Sequence, residues 1–343
     1  MSPVREALER CRAEHGAEVE RLLAETAAAE SPGGSLLAEM CAYHLATGGK
    51  RLRALVPLLT AEALGADPAR LRPFAAACEM LHNATLVHDD LQDGDTTRRG
   101  RPTVWKRWSP AQAINLGDAM FYWAVALAGR VEAPEALRWE LVELLVRGTL
   151  RVIDGQAREF QLKDDPAPTM AAYVRMIEGK TSGLFEIPLV GAARLCGATP
   201  ETAEALRGAA RDLGVLFQIQ DDLLDLYGEK GRERRGTDVA EGKISALVVH
   251  ALAAAEAGDA RRLREVLAKP REETSDEDIA WADRLFRRCG AVRFALDEIA
   301  RRERAVAERP ALAAVPRLHA LLCGLGDVFL EPIRPVVREF AGT

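Results

Sequence analysis

The stretch HNATLVHDDLQDGDTTRRGRPTVW, residues 82–105, decides the fold and the chemistry of this chain. Apolar, helix-like sequence leads into Asp89, Asp90 and Asp93. In a helix, Asp89 and Asp93 share one face, and like charges at that spacing disfavour the helix by a few tenths of a kcal/mol. No lysine or arginine lies within that turn to neutralise them. Oxygen ligands on one face suit Mg²⁺, so the motif predicts a magnesium site, although alone it is also typical of a solvated helix end.

The same acidic pattern occurs a second time, at Asp221, Asp222 and Asp225 in FQIQDDLLD. The residues just before this motif are mostly apolar, which predicts a largely buried helix. Buried carboxylates must be paired or bound to a metal. The two motifs therefore predict two clusters of Mg²⁺ ligands, and we expect them to face each other across one pocket.

The composition predicts an all-α protein. Only 5% of the 343 residues are aromatic, and the alternating β-branched runs typical of strands are scarce. No linker divides the chain, so we expect a single domain over 1–343, with an N-terminal helix in 1–30, a core over about 36–250 and C-terminal helices over 251–343. The net charge of −6 argues against nucleic-acid binding, because no basic domain emerges.

The six cysteines and the N-terminus indicate the compartment. The cysteines are scattered, without a CxxC pair for zinc or redox chemistry, so reduced thiols in the cytosol are the simplest interpretation. The N-terminus is too charged for a signal peptide, and no uncharged apolar run reaches about 18 residues. We expect a cytoplasmic protein without a membrane span.

Helical periodicity extends over most of the chain. The predicted helices are 3–29, 36–46, 51–64, 69–92, 110–129, 134–163, 170–178, 181–196, 200–227, 244–257, 276–289, 290–308 and, in pieces, 311–340. Between two of them lies the polar, Gly-rich loop 228–243, which begins three residues after the second acidic motif. Long polar loops in compact domains are usually functional or disordered, so this placement favours a lid.

Basic residues occur where a polyanion would need them. In GGKRLR, Lys50 and Arg53 are three apart near a predicted helix N-terminus, which attracts phosphate, whereas Arg51 points elsewhere. A glycine turn followed by solvated cations is the alternative interpretation. Further basic side chains lie after each acidic motif or at another helix start, namely Arg98, Arg99, Lys180 and Lys243.

His82 lies two helical turns before Asp89 and forms an E-x-x-H pair with Glu79. A di-iron bundle needs two such pairs, and none of the other five histidines has a Glu three residues before it. His82 is therefore either a donor to a diphosphate or a satisfied helix histidine. The chain has no Ser-His-Asp set, P-loop or dinucleotide fingerprint. Metals, cations and apolar walls together suit the ionisation of an allylic diphosphate.

At these residues the sequence resembles the trans-isoprenyl diphosphate synthases, also called polyprenyl synthetases, and geranylgeranyl diphosphate synthases in particular. The resemblance covers about residues 36–250, with the motifs in the family's order: GGKRLR, HNATLVHDDLQDGDTTRRGRPTV, GKTSGLF, FQIQDDLLD and GTDVAEGK. It implies the isoprenoid synthase fold, a helical bundle around a deep hydrophobic cavity, and a homodimer. It also implies an Mg²⁺-dependent prenyltransferase that condenses isopentenyl diphosphate with dimethylallyl, geranyl or farnesyl diphosphate.

The resemblance assigns roles by position. Asp89, Asp93, Asp221 and Asp225 would hold about three Mg²⁺ ions, or Mn²⁺, on the allylic diphosphate, with Asp90 and Asp222 supporting them. The remaining assignments fall into three sets. Arg98, Lys180 and Lys243 would bind the allylic diphosphate; Lys50, Arg53, His82 and Arg99 would bind isopentenyl diphosphate; and Thr181 and Gln218 would stabilise the developing cation. Released pyrophosphate would accept the proton.

The chain departs from the family pattern at three places. Thr237 stands where members often carry Lys, and Glu159 stands where a GQxxD pattern would place Asp. Ile-Ser-Ala follows Lys243 in place of Thr-Leu-Pro, which puts the anchoring of that loop in doubt. None of these differences removes an aspartate of the two motifs.

Product length follows from the residues before the first acidic motif. In this family, the positions four and five residues before the first Asp form a floor under the growing chain. Here they are Thr85 and Ala84, which are small, so we expect geranylgeranyl diphosphate; farnesyl or longer products are the alternatives. Deeper in the cavity, a run of larger side chains could form a plug or be plain core: Met120, Phe121, Tyr122 and Trp123.

Two other functions share some of these features. A class I terpene cyclase also ionises with DDxxD, but it usually pairs that motif with a different second site and lacks GGKRLR. A catalytically silent partner subunit typically loses acidic ligands, whereas all six aspartates are present here.

Overall fold

The computed structural model describes residues 2–29, 34–228 and 235–340, and the all-α prediction is confirmed there. In that part of the chain, the strands are β1 (Thr97–Arg98) and β2 (Arg101–Pro102), which form one antiparallel hairpin. The helices are α1 (Pro3–Ala29), α2 (Leu36–Leu45), α3 (Leu52–Ala63), α4 (Arg72–Gln92), α5 (Val104–Arg107), α6 (Pro110–Gly129), α7 (Glu135–Asp164), α8 (Met170–Lys180), α9 (Gly183–Leu195), α10 (Pro200–Tyr227), α11 (Thr237–Ala240), α12 (Ala246–Ala254), α13 (Ala257–Leu267), α14 (Asp276–Arg288), α15 (Ala291–Ala307), α16 (Pro310–Ala313), α17 (Pro316–Leu330) and α18 (Arg334–Phe340).

Most predicted helix ends agree with these bounds, but the single helix predicted over 244–257 is wrong. Ala255 is extended and separates α12 from α13. Gly258 and Asp259, just beyond the predicted end, lie in the first turn of α13. An acidic residue is favourable there because the helix dipole is positive at its N-terminus.

The chain forms two compact units. The first consists of Met1–Leu150, Leu184–Gly208 and Pro310–Leu321, and the second of Arg151–Gly183, Ala209–Arg309 and Leu322–Thr343. Each unit contains one of the two acidic motifs. The single-domain organisation expected from the sequence stays a prediction.

The first unit is built around α4, which packs against α1, α3 and α6. Its first half is small and apolar, and Phe74 to Ala77 are all fully buried. Alanine at these positions lets neighbouring helices approach closely, and α9 does so through Gly191, whose backbone lies against the Phe74 ring. This packing fixes the position of α4 and therefore of the first acidic motif at its C-terminal end.

In the second unit, α12 packs against α8 and α15. The approach of α7 to α8 is closer still, because a Cβ at Gly155 would overlap the backbone nitrogen of Lys180. Only glycine leaves room for that contact. Gly155 therefore allows the end of α8, which carries Lys180, to lie directly against α7.

None of the helices in the described residues is both long and apolar enough to span a membrane.

Replacing Gly191 with Ala should lower the free energy of unfolding by about 1–3 kcal/mol, because the new methyl group would overlap the Phe74 ring. Urea denaturation followed by circular dichroism measures this change. Gly129→Ala is the matched control, since nothing lies within 4 Å of its added Cβ. The control should be neutral or stabilising by up to about 1 kcal/mol. Equal stability of the two variants would contradict the packing described for α9.

Candidate active site

The first acidic motif lies at the C-terminus of α4. Asp89 is half-buried, Asp90 is 1% exposed, and Asp93 is the exposed C-cap residue. The Asp90 carboxylate accepts a hydrogen bond from Arg98 Nε at 2.7 Å, and Arg98 Nη2 lies 2.5 Å from the same oxygen. Burial raises the pKa of Asp90, although the Arg98 guanidinium opposes that shift. The hairpin returns Arg98 to the helix end, so the cation that neutralises Asp90 comes from outside the helix.

The hairpin also places Arg99. Arg99 and Gly100 form its two-residue loop, and both have positive φ angles, of 52° and 77°, as two-residue hairpin turns of type I′ require. The Arg99 guanidinium donates a hydrogen bond to the Gly48 carbonyl in GGKRLR. A Cβ on Gly49 would lie 2.6 Å from Arg99 Nη1, so glycine is needed for this contact. The hairpin thus connects the first acidic motif with the basic segment.

GGKRLR leads into α3, which begins at Leu52. Lys50 is exposed, whereas Arg53 is 7% exposed and its guanidinium lies 4.0 Å from the centre of the Phe185 ring. Burial lowers the pKa of Arg53 to about 10, so it is still charged at neutral pH. Arg51 turns to other partners, as expected from the sequence.

His82 lies on α4, and its Nδ1 is buried without a hydrogen-bond partner in the described residues. Burial lowers the pKa of His82, and the neighbouring charges of Arg53 and Arg98 lower it further. A neutral imidazole can donate one hydrogen bond to an anion. Glu79 is engaged elsewhere, because its carboxylate accepts from Ala54 N at 3.1 Å and Asn83 Nδ2 at 3.1 Å. These contacts disfavour the di-iron interpretation.

The second acidic motif lies at the end of α10 and is more deeply buried than the first. Asp222 is 2% exposed and accepts hydrogen bonds from Tyr173 Oη at 2.5 Å and Ala246 N at 3.0 Å. Asp225 is 3% exposed and accepts from Thr237 Oγ1 at 2.6 Å. Burial raises the pKa of Asp222. Asp222 thus has protein donors on its carboxylate, which fits a supporting role.

Thr237, one of the departures from the family pattern, has a definite structural role. Its hydroxyl donates to Asp225, and Asp238 N donates to the other oxygen of the same carboxylate at 3.0 Å. The short helix α11 therefore anchors Asp225 through one side chain and one backbone amide. Residues 229–234, the centre of the proposed lid, lie outside the described residues.

Lys243 lies beside the second motif. Its Nζ is 3.4 Å from an Asp222 oxygen and 3.1 Å from an Asp238 oxygen. Burial alone would lower the pKa of Lys243, but these carboxylates raise it well above its ordinary value. The ammonium group is therefore charged at neutral pH and can neutralise anions near the motif.

Lys180, the last residue of α8, forms an ion pair with Glu159 on α7. Burial would raise the pKa of Glu159, but the ammonium groups of Lys180 and Lys243 give it a lowered value. Glu159, which stands where the family pattern has Asp, thus acts as the counter-ion of Lys180. The longer side chain at this position still carries the carboxylate that orients a lysine.

Thr181 and Gln218 are direct neighbours in the second unit. Thr181 Oγ1 donates to Gln218 Oε1 at 3.1 Å, and Gln218 Nε2 donates to Asp222 Oδ1 at 3.1 Å. This chain of hydrogen bonds fixes the amide orientation. The two residues that the resemblance places beside a developing cation are therefore linked to the second acidic motif.

The proposed floor residues lie on the buried side of α4. Ala84 is fully buried, and Thr85 is 7% exposed with its hydroxyl bonded to the His82 carbonyl at 2.7 Å. On α6, the Phe121 ring packs against His88 with 5.5 Å between the ring centres. Tyr122 is 76% exposed, so its inclusion in an internal plug is wrong. Adjacent helix positions point in different directions, and only one side of α6 is buried.

Sequence reasoning missed several residues at these sites. His44 is 3% exposed, and burial with the charges of nearby arginines lowers its pKa to about 3. Tyr173 and Glu20 were also missed, because each reaches its partner over a long sequence separation. A tyrosine or glutamate on an amphipathic helix carries no local signal for such a contact. Within each unit, the predicted site residues lie near that unit's acidic motif. A pocket shared by the two motifs stays a prediction.

The comparisons with known proteins agree on one family. The profile of the polyprenyl synthetase family matches residues 34–283. A short chain isoprenyl diphosphate synthase of Methanocaldococcus jannaschii is 35% identical over 242 residues, which cover 70% of this chain and 73% of that protein.

Solved structures show the same fold. The geranylgeranyl pyrophosphate synthetase of Pyrococcus horikoshii superposes with a TM-score of 0.85 at 29% identity, over 96% of this chain and 99% of that one. The polyprenyl synthase of Caulobacter crescentus, solved with calcium and isoprenyl diphosphate, gives a TM-score of 0.82 at 29% identity, over 95% and 97% of the two chains. The chain therefore belongs to the polyprenyl synthetase family, and it is a prenyltransferase with the isoprenoid synthase fold.

Proposed function

We propose that this chain joins isopentenyl diphosphate head to tail with an allylic diphosphate to give geranylgeranyl diphosphate. The observation that carries the proposal is that each acidic motif has its own cation: Arg98 lies against Asp90, and Lys243 lies against Asp222. A site for several phosphates and metal ions needs both signs of charge close together. The names of the relatives at 35% and 29% identity support the same reaction class.

The donor set fits Mg²⁺ or Mn²⁺. Asp90 Oδ2 is buried without a hydrogen-bond partner in the described residues, and the side chains of both motifs offer only carboxylate oxygens, the ligands that hard cations prefer. Asp89, Asp93, Asp221 and Asp225 would hold about three ions, supported by Asp90 and Asp222. Bound Mg²⁺ would act as a Lewis acid on the diphosphate leaving group. The described residues contain no group of three acids, histidines or cysteines that could hold an ion alone, so oxygens of water or substrate would complete its shell.

The second unit supplies groups for the allylic substrate. Lys180 and Lys243 would bind its diphosphate, and their carboxylate partners Glu159 and Asp238 hold both ammonium groups in place. When the bond between C1 and the diphosphate oxygen breaks, the electron pair leaves with the diphosphate. The dipoles of Thr181 and Gln218, fixed by their hydrogen bond, would stabilise the carbocation that forms. Arg98 from the first unit completes the proposed set.

The first unit supplies groups for isopentenyl diphosphate. Lys50, Arg53 and Arg99 would bind the diphosphate as cations, and His82 would donate a hydrogen bond as a neutral imidazole. The double bond of isopentenyl diphosphate then attacks the carbocation. The new cation loses a proton from C2 to an oxygen of the released pyrophosphate, so no protein base is required.

Product length would be set on α4. Ala84 and Thr85 are small and buried, so they would leave more room beneath the first motif than larger side chains, and Phe121 on α6 would lie farther along the path of the growing chain. This arrangement favours geranylgeranyl diphosphate over farnesyl diphosphate. Longer prenyl products would require the chain to pass Phe121.

We also propose that the protein is a homodimer formed through α7. Trp139, Val146, Ile153 and Phe160 recur every seven residues on this helix, and they are 69%, 41%, 51% and 39% exposed. A seven-residue apolar repeat forms a seam that normally packs against another helix. Leu150 widens the seam and is 59% exposed.

A reducing cytosol remains the expected compartment, and all six cysteines are free.

Purified protein with Mg²⁺, isopentenyl diphosphate and the dimethylallyl, geranyl or farnesyl starter should release pyrophosphate and yield C20 prenyl diphosphate. Asp225→Asn should lower kcat by about two to three orders of magnitude, because a ligand of the leaving-group site loses its charge. Asp297→Asn, at an exposed position of α15, is the control and should keep wild-type activity. Cyclised hydrocarbon would instead support a terpene cyclase, and absence of turnover with every starter would support a silent subunit.

Ala84→Phe should shift the product from C20 toward C15, because the ring would occupy the space below the first motif. Chain-length analysis of the dephosphorylated products measures this shift. The ring also enters a buried site, where overpacking costs about 1–3 kcal/mol, so the product ratio is compared and not the rate. Ala84→Ser, which adds one oxygen, should retain the C20 product. An unchanged ratio in Ala84→Phe would remove this residue from the floor.

The double variant Trp139→Glu, Leu150→Glu should shift the protein from dimer to monomer in sedimentation velocity. Charges on a buried apolar seam should raise the dissociation constant by about 100-fold or more. Val337→Glu is the control, because Val337 is an apolar residue that is 40% exposed and lies on α18, outside the seam. A wild-type protein that is monomeric at micromolar concentration would contradict the proposed interface.

A further inference from the structure

Arg51, the central arginine of GGKRLR, is bound entirely by groups of the protein. Its Nε donates to Glu20 Oε1 at 2.6 Å, and its Nη2 donates to the Leu45 carbonyl at 2.7 Å. Its Nη1 lies 3.4 Å from the Gly48 carbonyl and 3.6 Å from Glu79 Oε1. The side chain is only 13% exposed. All three guanidinium nitrogens of Arg51 thus face groups of the protein, and the side chain is a brace within the segment.

The brace holds the backbone in a costly conformation. Arg51 has a φ of 50°, in the left-handed region that residues other than glycine rarely adopt. Such a conformation costs about 1–3 kcal/mol and persists only where surrounding contacts determine it. The contacts of its own guanidinium are the ones described above. Loss of a partner of Arg51 should therefore loosen the loop that carries Lys50.

Two of the contacts that hold this segment come from α1. Glu20 binds Arg51, and Arg12, eight residues earlier and so two helical turns away, donates to the Lys50 carbonyl. α1 also packs against α2 and α3, the helices on either side of GGKRLR. The N-terminal helix thus touches the basic segment at two successive residues, Lys50 and Arg51.

The effect of the brace extends to Arg99. The Gly48 carbonyl accepts from Arg99 Nη1 and lies within hydrogen-bond distance of Arg51 Nη1. One carbonyl oxygen therefore orients two guanidinium groups. Glu79 adds a second connection, since it lies beside Arg51 and also accepts from Ala54 N in the first turn of α3, next to Arg53.

We propose that Glu20 and Arg12 of α1 are positioning residues for the isopentenyl diphosphate subsite. Acting through Arg51, the Lys50 backbone and the Gly48 carbonyl, they hold Lys50, Arg53 and Arg99 in the arrangement that receives a diphosphate. This inference rests on the proposed function. It makes α1 part of the substrate-binding apparatus through its contacts with the GGKRLR segment.

The sign of one kinetic effect separates positioning from simple electrostatics. Removing the negative charge of Glu20 makes the subsite more positive, which by charge alone would tighten binding of an anion and lower its KM. Loss of positioning would instead weaken binding and raise the KM. Glu20→Ala removes both the charge and the acceptor, whereas Glu20→Gln removes the charge and keeps an acceptor for Arg51.

The experiment compares KM for isopentenyl diphosphate, KM for the allylic diphosphate and kcat. Glu20→Ala should raise KM for isopentenyl diphosphate by about two- to fivefold, the range expected for a half-exposed ion pair, and leave the other two constants unchanged. Glu20→Gln should show a smaller rise in the same constant. Glu25→Ala is the control, because Glu25 lies on α1, is comparably exposed, and pairs with Arg21 away from the segment.

A double variant tests whether the effect passes through Arg51. Arg51→Lys keeps the charge but loses the forked geometry, so it should raise the same KM alone. Adding Glu20→Ala to it should cause little further increase if Glu20 acts through Arg51. If Glu20→Ala raises KM for isopentenyl diphosphate in the Arg51→Lys background by a further two- to fivefold, about as much as it does alone, Glu20 does not act through Arg51.

The remaining outcomes are equally decisive. A lowered or unchanged KM for isopentenyl diphosphate in Glu20→Ala, or a parallel rise in both KM values, would overturn the inference. If Glu20→Ala does not fold, as judged by its melting temperature, Glu20→Gln decides by the same criteria. If the wild type does not catalyse the condensation, the proposed function itself is overturned. If the wild type is active and Glu20→Ala has the same kinetic constants as Glu25→Ala, only the role of α1 is removed.

Discussion

A carboxylate that leaves water must be given hydrogen-bond donors or a cation, and this requirement organises both acidic motifs. The second aspartate is the buried one in each motif: Asp90 is held by Arg98, and Asp222 by Tyr173 and the backbone of α12. The first aspartate of each motif is only half-buried. In both motifs, therefore, the second carboxylate is buried and held by protein donors, whereas the first is nearer the surface.

The third aspartates differ, and the difference has a structural cause. Asp93 caps α4 at the surface, where Gly94 turns the chain toward the hairpin. Asp225 lies inside α10, two residues before its end, and accepts a hydrogen bond from the backbone of α11. The third carboxylate of the first motif thus lies at the surface, whereas that of the second is buried and accepts from a hydroxyl and a backbone amide.

The sequence predicted what depends on local pattern. The bounds of α6 and α10 agree with the periodicity, and the acidic and basic motifs identify the family without any structural information. It did not predict contacts across long sequence separations, such as Glu20 with Arg51 or Tyr173 with Asp222. Thr237 illustrates the limit well. Family members often carry Lys at this position, and no local signal indicated that the Thr237 hydroxyl would donate to Asp225.

The hairpin between α4 and α5 has a consequence for how two substrates communicate. Arg98 and Arg99 are joined by one rigid peptide plane, yet the first binds the acidic motif and the second binds the GGKRLR loop. A ligand that shifts the hairpin backbone at Arg98 would therefore shift the backbone at Arg99 as well. Such a linkage would make the affinity of each occupant depend on the presence of the other, and thermodynamic reciprocity would make that dependence equal in both directions.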